Sequence, residues 1–221
     1  MSEHVKREYR SGLRTAQAEQ TRRSIVSAAA RLFVDDGYGA TTIDAVAESA
    51  GVSRKTVFTA VGGKVDLLKT ALDWAVAGDD QPVTVADRPE VRELLAMDDP
   101  VALLTAWARV MVAVDVRVAG LFRVLEIAAD GDVAAHLLLD EYRRQRLIGA
   151  RAVVKRLGGL QALTEGMSRV EAADVAWLAT DPVLYDRLVQ IRGWSVGRFE
   201  IWLARTLTDQ LLARQSRRRS E

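Results

Sequence analysis

Apolar residues recur at three- and four-residue spacing along most of this 221-residue chain. That is the period of an α-helix, whereas a half-buried strand alternates apolar and polar side chains. No segment sustains such an alternation, and only four prolines are present to interrupt a helix. The sequence therefore predicts an all-α fold. The clearest stripes run from Ile25 to Phe33, Leu103 to Val114, Leu137 to Ile148 and Phe199 to Leu212.

Helix-boundary signals divide the chain into segments. Asp99-Pro100 and Asp181-Pro182 each place a capping carboxylate before a proline, which is favoured at the first helical position. Residues 78–99 contain two other prolines, several acids and few apolar side chains, which predicts a linker or irregular connector. The predicted division is a flexible basic arm at 1–20, a helical unit at 21–77, the connector at 78–99, a larger helical unit at 100–213 and a basic tail at 214–221.

Composition excludes several kinds of protein. Cysteine is absent, which rules out disulfides, thiolate nucleophiles and cysteine-based metal sites. No run approaches the ~18 uncharged apolar residues of a membrane-spanning helix. The N-terminus is polar and basic, without the apolar region of a secretory signal. We therefore expect a cytoplasmic protein with no membrane partner.

The segment from Ile43 to Val61 has the pattern of a helix-turn-helix. Ala47 and Gly51 are its fifth and ninth residues: a small residue lets the second helix cross closely, and glycine adopts the tight turn at little steric cost. Ser53 is then placed to cap the second helix. A generic pair of antiparallel helices shares this pattern, so the spacing alone leaves both alternatives open.

The composition of the second helix favours DNA binding. No acid lies between Gly51 and Lys64, and a helix beside phosphates avoids carboxylates, whereas a solvated helix usually mixes both signs. Lys64 follows the helix, where a cation can contact the DNA backbone. An excess of lysine and arginine over glutamate between Met1 and Val34 precedes the motif. The side chains expected on the exposed face are Arg54, Lys55, Thr56, Phe58 and Thr59.

Residues from about Thr21 to Leu72 resemble the TetR family of bacterial transcriptional repressors. The resemblance covers about a quarter of the chain and implies a three-helix DNA-binding head, joined by a fourth helix to a larger ligand-binding and dimer-forming domain. Residues 173–212 are also similar to the C-terminal region of some members. The matching positions of the head are Ala29, Leu32, Phe33, Gly37, Thr41-Thr42, Val46-Ala47, Ala50-Gly51-Val52-Ser53, Thr56 and Lys64 with Asp66-Leu67-Leu68.

The resemblance also implies roles for individual residues. Thr42, Ser53 and Lys64 fall where family members contact phosphates. Positions where members present side chains to DNA are occupied here by Arg54, Lys55, Thr56, Phe58 and Thr59.

The chain departs from the family pattern at residues 58–61. Most members have tyrosine, a variable residue, histidine and phenylalanine, where this chain reads FTAV. Phe58 lacks the phenolic hydroxyl that would bond a phosphate, and Ala60 lacks a ring. We therefore expect weaker anchoring on the DNA backbone at this point, with Phe58 free to touch a thymine methyl.

One such head covers little DNA, so useful affinity requires a two-fold dimer on a palindromic operator. The last two long helices carry more apolar bulk than one antiparallel pair can bury, which favours a homodimer interface, although the same residues also suit the core of one protomer. They are Trp177, Leu178, Leu184, Leu188, Ile191, Trp194, Phe199, Trp202, Leu203, Leu207 and Leu211.

The central helices from Val101 to Leu157 are expected to line any effector pocket. Their apolar and aromatic residues suit a small apolar or amphipathic molecule, although helical spacing is equally typical of ordinary core. Asp115, Arg123 and His136 are further polar groups that can orient a ligand. The candidate ligand contacts are Trp107, Met111, Phe122, Glu126 and Tyr142.

Together these features predict a TetR-like repressor that binds a double-stranded operator as a homodimer and is released by a small effector. The alternative is a helical small-molecule-binding or scaffold protein whose head no longer binds DNA, given the departure at FTAV. An enzyme is disfavoured because His4 and His136 are the only histidines and no glycine-rich phosphate loop is present. No metal or cofactor site is predicted.

Overall fold

The computed structural model describes residues 3–80 and 88–213, with side chains from Thr15 onward. Helices follow one another through both ranges and no β-strand forms within them, which confirms the all-α class. They are α1 (Glu3–Ala40), α2 (Ile43–Ala50), α3 (Arg54–Ala60), α4 (Lys64–Ala77), α5 (Pro89–Ala96), α6 (Pro100–Ala129), α7 (Val133–Gly159), α8 (Arg169–Ala179), α9 (Pro182–Tyr185), a π-helix (Asp186–Ile191) and α10 (Val196–Leu211).

The chain forms two compact units that do not follow chain order. The first comprises Met1–Asp73 and Val124–His136, and the second comprises Trp74–Arg123 and Leu137–Glu221. The end of α6 and the start of α7 therefore belong to the unit that contains the helix-turn-helix. The segments predicted from the sequence are each continuous, so they do not place residues 124–136 with the helix-turn-helix.

The first unit is built on α1 to α4 around a small apolar core. Phe33 is fully buried, and its ring stacks on Tyr38 at 5.9 Å between centroids. Val46 of α2 and Val57 of α3 are also fully buried, so each short helix is held by an apolar anchor. The other residues of the first unit with no exposed surface are Ile25, Ala29, Leu67, Leu68, Leu72, Leu125 and Ala135.

Helical geometry in α1 is interrupted at Gly37, where the backbone has φ 82° and ψ 168°. Only glycine adopts this conformation without strain, because it has no Cβ. The Thr41 hydroxyl donates to the Gly37 carbonyl at 2.8 Å, which ties the chain leaving α1 to its end.

Two segments differ from their sequence assignment. Residues 3–20, assigned to a flexible arm, continue α1 as helix, because they contain no proline and are rich in strong helix formers. The predicted connector contains α5, which begins with Pro89 at its first position and buries Leu94. Proline at that position starts a helix rather than preventing one. The basic tail, residues 81–87 and the side chains of the first fourteen residues lie outside the described part of the chain.

The second unit packs α6, α7, α8 and α10 around its own core. Its fully buried residues include Leu103 and Leu104 of α6, Leu157 of α7 and Leu203 of α10. Arg156 of α7 donates to the Met97 carbonyl at 2.8 Å and so caps the C-terminal end of α5. Taken over the described residues, each helix is too short or too polar to cross a lipid bilayer.

Candidate nucleic-acid interface

The turn between α2 and α3 has the geometry that the glycine predicted. Gly51 adopts the left-handed conformation, with φ 67° and ψ 32°. Its N–H donates to the Glu48 carbonyl at 3.1 Å, and the N–H of Val52 donates to the Ala47 carbonyl at 2.9 Å. These bonds satisfy the carbonyls of Ala47 and Glu48 in the last turn of α2, as in other helices that end in a left-handed glycine. The turn is therefore tight.

A serine cap starts α3, which has only seven residues. The Ser53 hydroxyl oxygen accepts from the Thr56 N–H at 3.1 Å and lies 2.8 Å from the Thr56 hydroxyl. A helix this short has little stability of its own, so the cap and the buried Val57 hold it in place. Thr42 caps α2 in the same way, accepting from the Ala45 N–H at 3.1 Å.

Most of the predicted DNA-contacting side chains share the exposed side of α3. Arg54, Lys55, Phe58 and Thr59 are exposed and Thr56 is half-buried. Phe58 has 47% of its surface exposed, which is unusual for a phenylalanine and leaves its ring available to a partner. No acidic residue lies on α3. The arrangement is an acid-free surface of cations, hydroxyls and one ring.

Arg54 is held by two neighbours. Its guanidinium donates to the Asp44 carboxylate, ten positions earlier on α2, and lies 5.6 Å from the centroid of the Phe58 ring. Both members of this ion pair are more than half exposed, so the pair is weak and readily exchanged for a DNA contact. Asp44 lies in the first turn of α2, and nothing in the local sequence signals its contact with Arg54 across the turn.

Lys64 is placed differently from the other candidates. Its ammonium lies 4.3 Å from the centroid of the Tyr38 ring and 3.4 Å from the Gly39 carbonyl oxygen. Burial lowers the pKa of Lys64, and the nearby Asp132 carboxylate opposes this shift. Within the first unit Lys64 therefore has a structural role, and its contact with phosphate stays a prediction.

Asp132 joins the turn between α6 and α7 to the end of α1. The Tyr38 hydroxyl donates to the Asp132 carboxylate at 2.7 Å, although the two residues lie 94 positions apart. The same carboxylate accepts from the Ala134 N–H at 2.8 Å and so caps α7. The hydrogen bond from Tyr38 is the main cause that lowers the pKa of Asp132. Sequence reasoning had no signal for this contact.

Replacing Tyr38 by phenylalanine should lower the free energy of unfolding of the first unit by about 1 kcal/mol at neutral pH, because the ring is kept and one hydrogen bond to a charged group is lost. The folded-state pKa of Asp132 is depressed, so this stability is present above the ordinary carboxyl pKa and is lost as pH falls below it. Urea unfolding over that pH range checks the expectation. In an Asp132→Ala background, which removes the acceptor, the same change should have little effect and no pH dependence.

The predicted ligand residues do not fall in one unit. Trp107, Phe122 and Tyr142 are buried in the second unit and Met111 is half-buried there, whereas Glu126 belongs to the first. A surface groove along the N-terminal part of α6 contains none of these five, and is lined by Asp99, Val101, Ala102, Thr105, Ala106 and Arg109.

The predicted interface residues separate into two groups. Phe199, Leu203, Leu207 and Leu211 are at most 1% exposed, so they form the core of the second unit. Others face solvent, with Leu178 of α8 at 63% and Ile191 at 68% exposure. Ile201 of α10, which sequence reasoning did not include among the interface residues, is 72% exposed.

These features define the class of the protein. A left-handed glycine turn, a capped second helix and an acid-free face with two cations at its start form the DNA-binding half of a helix-turn-helix protein. Residues 25–71 match the family model described as bacterial regulatory proteins, tetR family. Residues 25–71 therefore form a TetR-family DNA-binding domain.

Two curated relatives carry the same domain. Over 57 residues the chain is 40% identical to the HTH-type transcriptional regulator SrpR of Pseudomonas putida. It is 39% identical over 57 residues to the uncharacterized HTH-type transcriptional regulator TtgW of a strain of the same species. Each match covers 26% of this chain, and the matched segments span only 27% of the first relative and 42% of the second.

Solved structures of regulators share the fold over most of the chain. A SmeT–triclosan complex aligns over 89% of this chain and 94% of its own, with TM-score 0.69 and 18% identity. A regulator from Saccharomonospora viridis in complex with choline aligns over 89% of this chain and 100% of its own, with TM-score 0.66 and 19% identity. A gamma-butyrolactone receptor aligns over 92% and 94%, with TM-score 0.62 and 20% identity. The likeness to these structures shows a shared fold.

Proposed function

We propose that this protein is a transcriptional repressor that binds a palindromic operator as a homodimer and releases it when a small molecule binds the second unit. The observation that carries the proposal is the exposed, acid-free side of α3. Arg54 and Lys55 are the first two residues of that helix, which is the end that reaches base edges in helix-turn-helix proteins. A cytoplasmic location without a membrane partner accompanies this role.

The dimer is proposed from the exposed side of α8 and α10. Leu178 and Ile201 are large apolar side chains that the second unit does not cover. Gly197, Ala204 and Thr208 lie on the same side of α10 as Ile201, because they are separated from it by three, four or seven positions. A large apolar residue among small ones suits the close approach of a helix from a second copy. The two heads of such a dimer read the two halves of a palindrome.

The effector is proposed from the size and composition of the second unit. Neighbours of this fold were solved with triclosan and with choline, which supports a small-molecule site without identifying its ligand. For repression to be relieved, the effector must bind the DNA-incompetent arrangement of the dimer more tightly than the competent one. Of the predicted contacts, Trp107, Met111, Phe122 and Tyr142 belong to the second unit and remain proposed.

The competing proposal is a small-molecule-binding or scaffold protein whose head no longer binds DNA. It is favoured by one observation: Phe58 presents a ring without a hydroxyl, and Ala60 presents no ring. Selection of bound duplexes from a random pool, followed by a gel shift with the selected sequence and with the chain's own upstream promoter, separates the two proposals. Enrichment of a palindrome supports the repressor, and the absence of any enriched sequence supports the scaffold.

Arg54→Ala should change the base preference of the protein rather than only its affinity. A cation bonded to guanine O6 and N7 provides about 1–3 kcal/mol of discrimination, so the selected motif should lose information at one position in each half-site. The measurement repeats the duplex selection with the variant. Lys69→Ala, which removes an exposed lysine of α4 outside the recognition helix, is the control and should keep the motif. Equal weakening on every sequence would instead make Arg54 a phosphate contact.

A further inference from the structure

Asp115 of α6 is a buried carboxyl group without a hydrogen-bond partner. The residue is 1% exposed, and both carboxyl oxygens are buried and receive no hydrogen bond from the described residues. Burying a carboxylate in this state is strongly unfavourable, and buried polar groups in proteins are otherwise almost always bonded. A group of this kind inside a domain expected to bind a ligand requires a partner from outside the chain or a proton.

The charged neighbours of Asp115 leave one negative charge unbalanced. Arg146 of α7 donates to the Asp181 carboxylate at 2.8 Å and to the Trp177 carbonyl at 2.8 Å. The side chains of this pair are only 13% and 17% exposed, so each charge is largely neutralised by the other. When its carboxyl is ionised, Asp115 is therefore the third charge of the group, and the three side chains together then carry one excess negative charge.

The groups that act on Asp115 come from α7 and from α9 with its N-terminal cap. Arg146 faces it from α7, Asp181 from the start of α9 and Tyr185 from α9 itself. Burial raises the pKa of Asp115 to about 8, Arg146 opposes this shift and Asp181 adds to it. Burial raises the pKa of Tyr185, and the Asp115 carboxyl has a smaller effect in the same direction. In the free protein Asp115 is thus mostly protonated at neutral pH.

We propose that Asp115 anchors the effector and that the effector carries one positive charge, in an ammonium or amidinium group. This inference rests on the proposed function, because it names the chemical class of the molecule that the second unit takes. A cation balances the excess negative charge of the ionised Asp115 carboxylate. It also donates hydrogen bonds to carboxyl oxygens that receive none from the described residues. A neutral donor can bond the oxygens but leaves the negative charge of the carboxylate unbalanced, and an anion would increase that negative charge.

Cation binding is coupled to the release of a proton. The carboxyl must ionise to pair with the cation, so affinity should rise about tenfold per pH unit up to about pH 8 and then become constant. A ligand that only accepts a hydrogen bond from the protonated carboxyl would bind more weakly as pH rises. The sign of the pH dependence therefore separates a cationic ligand from a neutral one.

The test uses the full chain and a set of primary amines of increasing size, from methylammonium through hexylammonium to benzylammonium, each beside the alcohol of the same carbon skeleton. Calorimetry in buffers of different ionisation enthalpy measures affinity and proton release together. At least one amine should bind, and Asp115→Asn should weaken it about 10- to 100-fold while leaving the alcohols unchanged. Asp174→Asn removes an exposed carboxylate of α8 and is the matched control.

Three results would overturn the inference: no amine of the set binds, the amide variant binds the amine as well as the wild type, or affinity falls as pH rises. Asp115→Asn should keep the thermal stability of the wild type, because it exchanges one neutral buried group for another of the same size. It should also keep operator binding in the absence of ligand. A failure of the wild type to bind any duplex would count against the proposed repressor and not against the cation site.

Discussion

Replacing Ile201 with glutamate should convert the proposed dimer to a monomer and lower its affinity for a palindromic operator at least about 100-fold. Ile201 is 72% exposed on α10 and is not needed by the core of its own protomer. In the proposed dimer its side chain is covered by the second copy, so a carboxylate there is buried without a partner. Binding to the operator then lacks the avidity of two joined heads, although each head keeps its own contacts with DNA.

Light scattering at micromolar concentration gives the oligomeric state, and fluorescence anisotropy compares the full palindrome with a single half-site. The variant should bind the half-site as well as the wild type does. Ile127→Glu is the matched control, because Ile127 is 62% exposed and lies on α6 in the first unit. If the Ile201 variant stays dimeric, or if both variants behave alike, α10 is not the interface.

Replacing Phe33 with alanine should destabilise the first unit by about 3–5 kcal/mol. Phe33 is fully buried and stacks on Tyr38, so truncation removes apolar contacts and leaves a cavity. A loss of this size is a large part of the total stability of a small domain. Hydrogen exchange of the amides of α1 to α3 follows the first unit separately from the second, and should show much faster exchange throughout.

Phe58→Ala is the matched change in the same unit. Phe58 is 47% exposed and its ring lies near the Arg54 guanidinium, so its removal should alter stability by less than about 0.5 kcal/mol. Operator affinity should nevertheless fall, because the ring is part of the proposed DNA-contacting side. Stable folding in the Phe33 variant, or unfolding in the Phe58 variant, would contradict the assignment of one ring to the core and the other to DNA.

Features that depend on local chemistry were predictable. The helical class follows from apolar spacing, and the turn follows from Gly51, because few other residues adopt its left-handed conformation without strain. The start of α3 follows from Ser53, whose hydroxyl oxygen accepts from a backbone N–H three positions later. Each of these features involves residues within one or two helical turns of each other.

One local signal was misinterpreted and several non-local contacts were missed. The prolines of residues 78–99 led to the prediction of an irregular connector, but Pro89 occupies the first position of α5. Lys64 was predicted to contact a DNA phosphate. Its ammonium also lies over the Tyr38 ring, and this contact exists only because α1 and α4 pack together. The bond from Tyr38 to Asp132 joins residues 94 positions apart and has no signature in either segment.

The sequence by itself determined the helical class and the helix-turn-helix, because propensity, capping and a glycine turn act between neighbouring residues. Only the tertiary structure decided which apolar residues fill the core and which stay exposed: Leu203 and Ile201 are two positions apart on one helix, yet one is fully buried and the other is 72% exposed. It also decided the state of Asp115, since burial and unbalanced charge are properties of everything packed around a group.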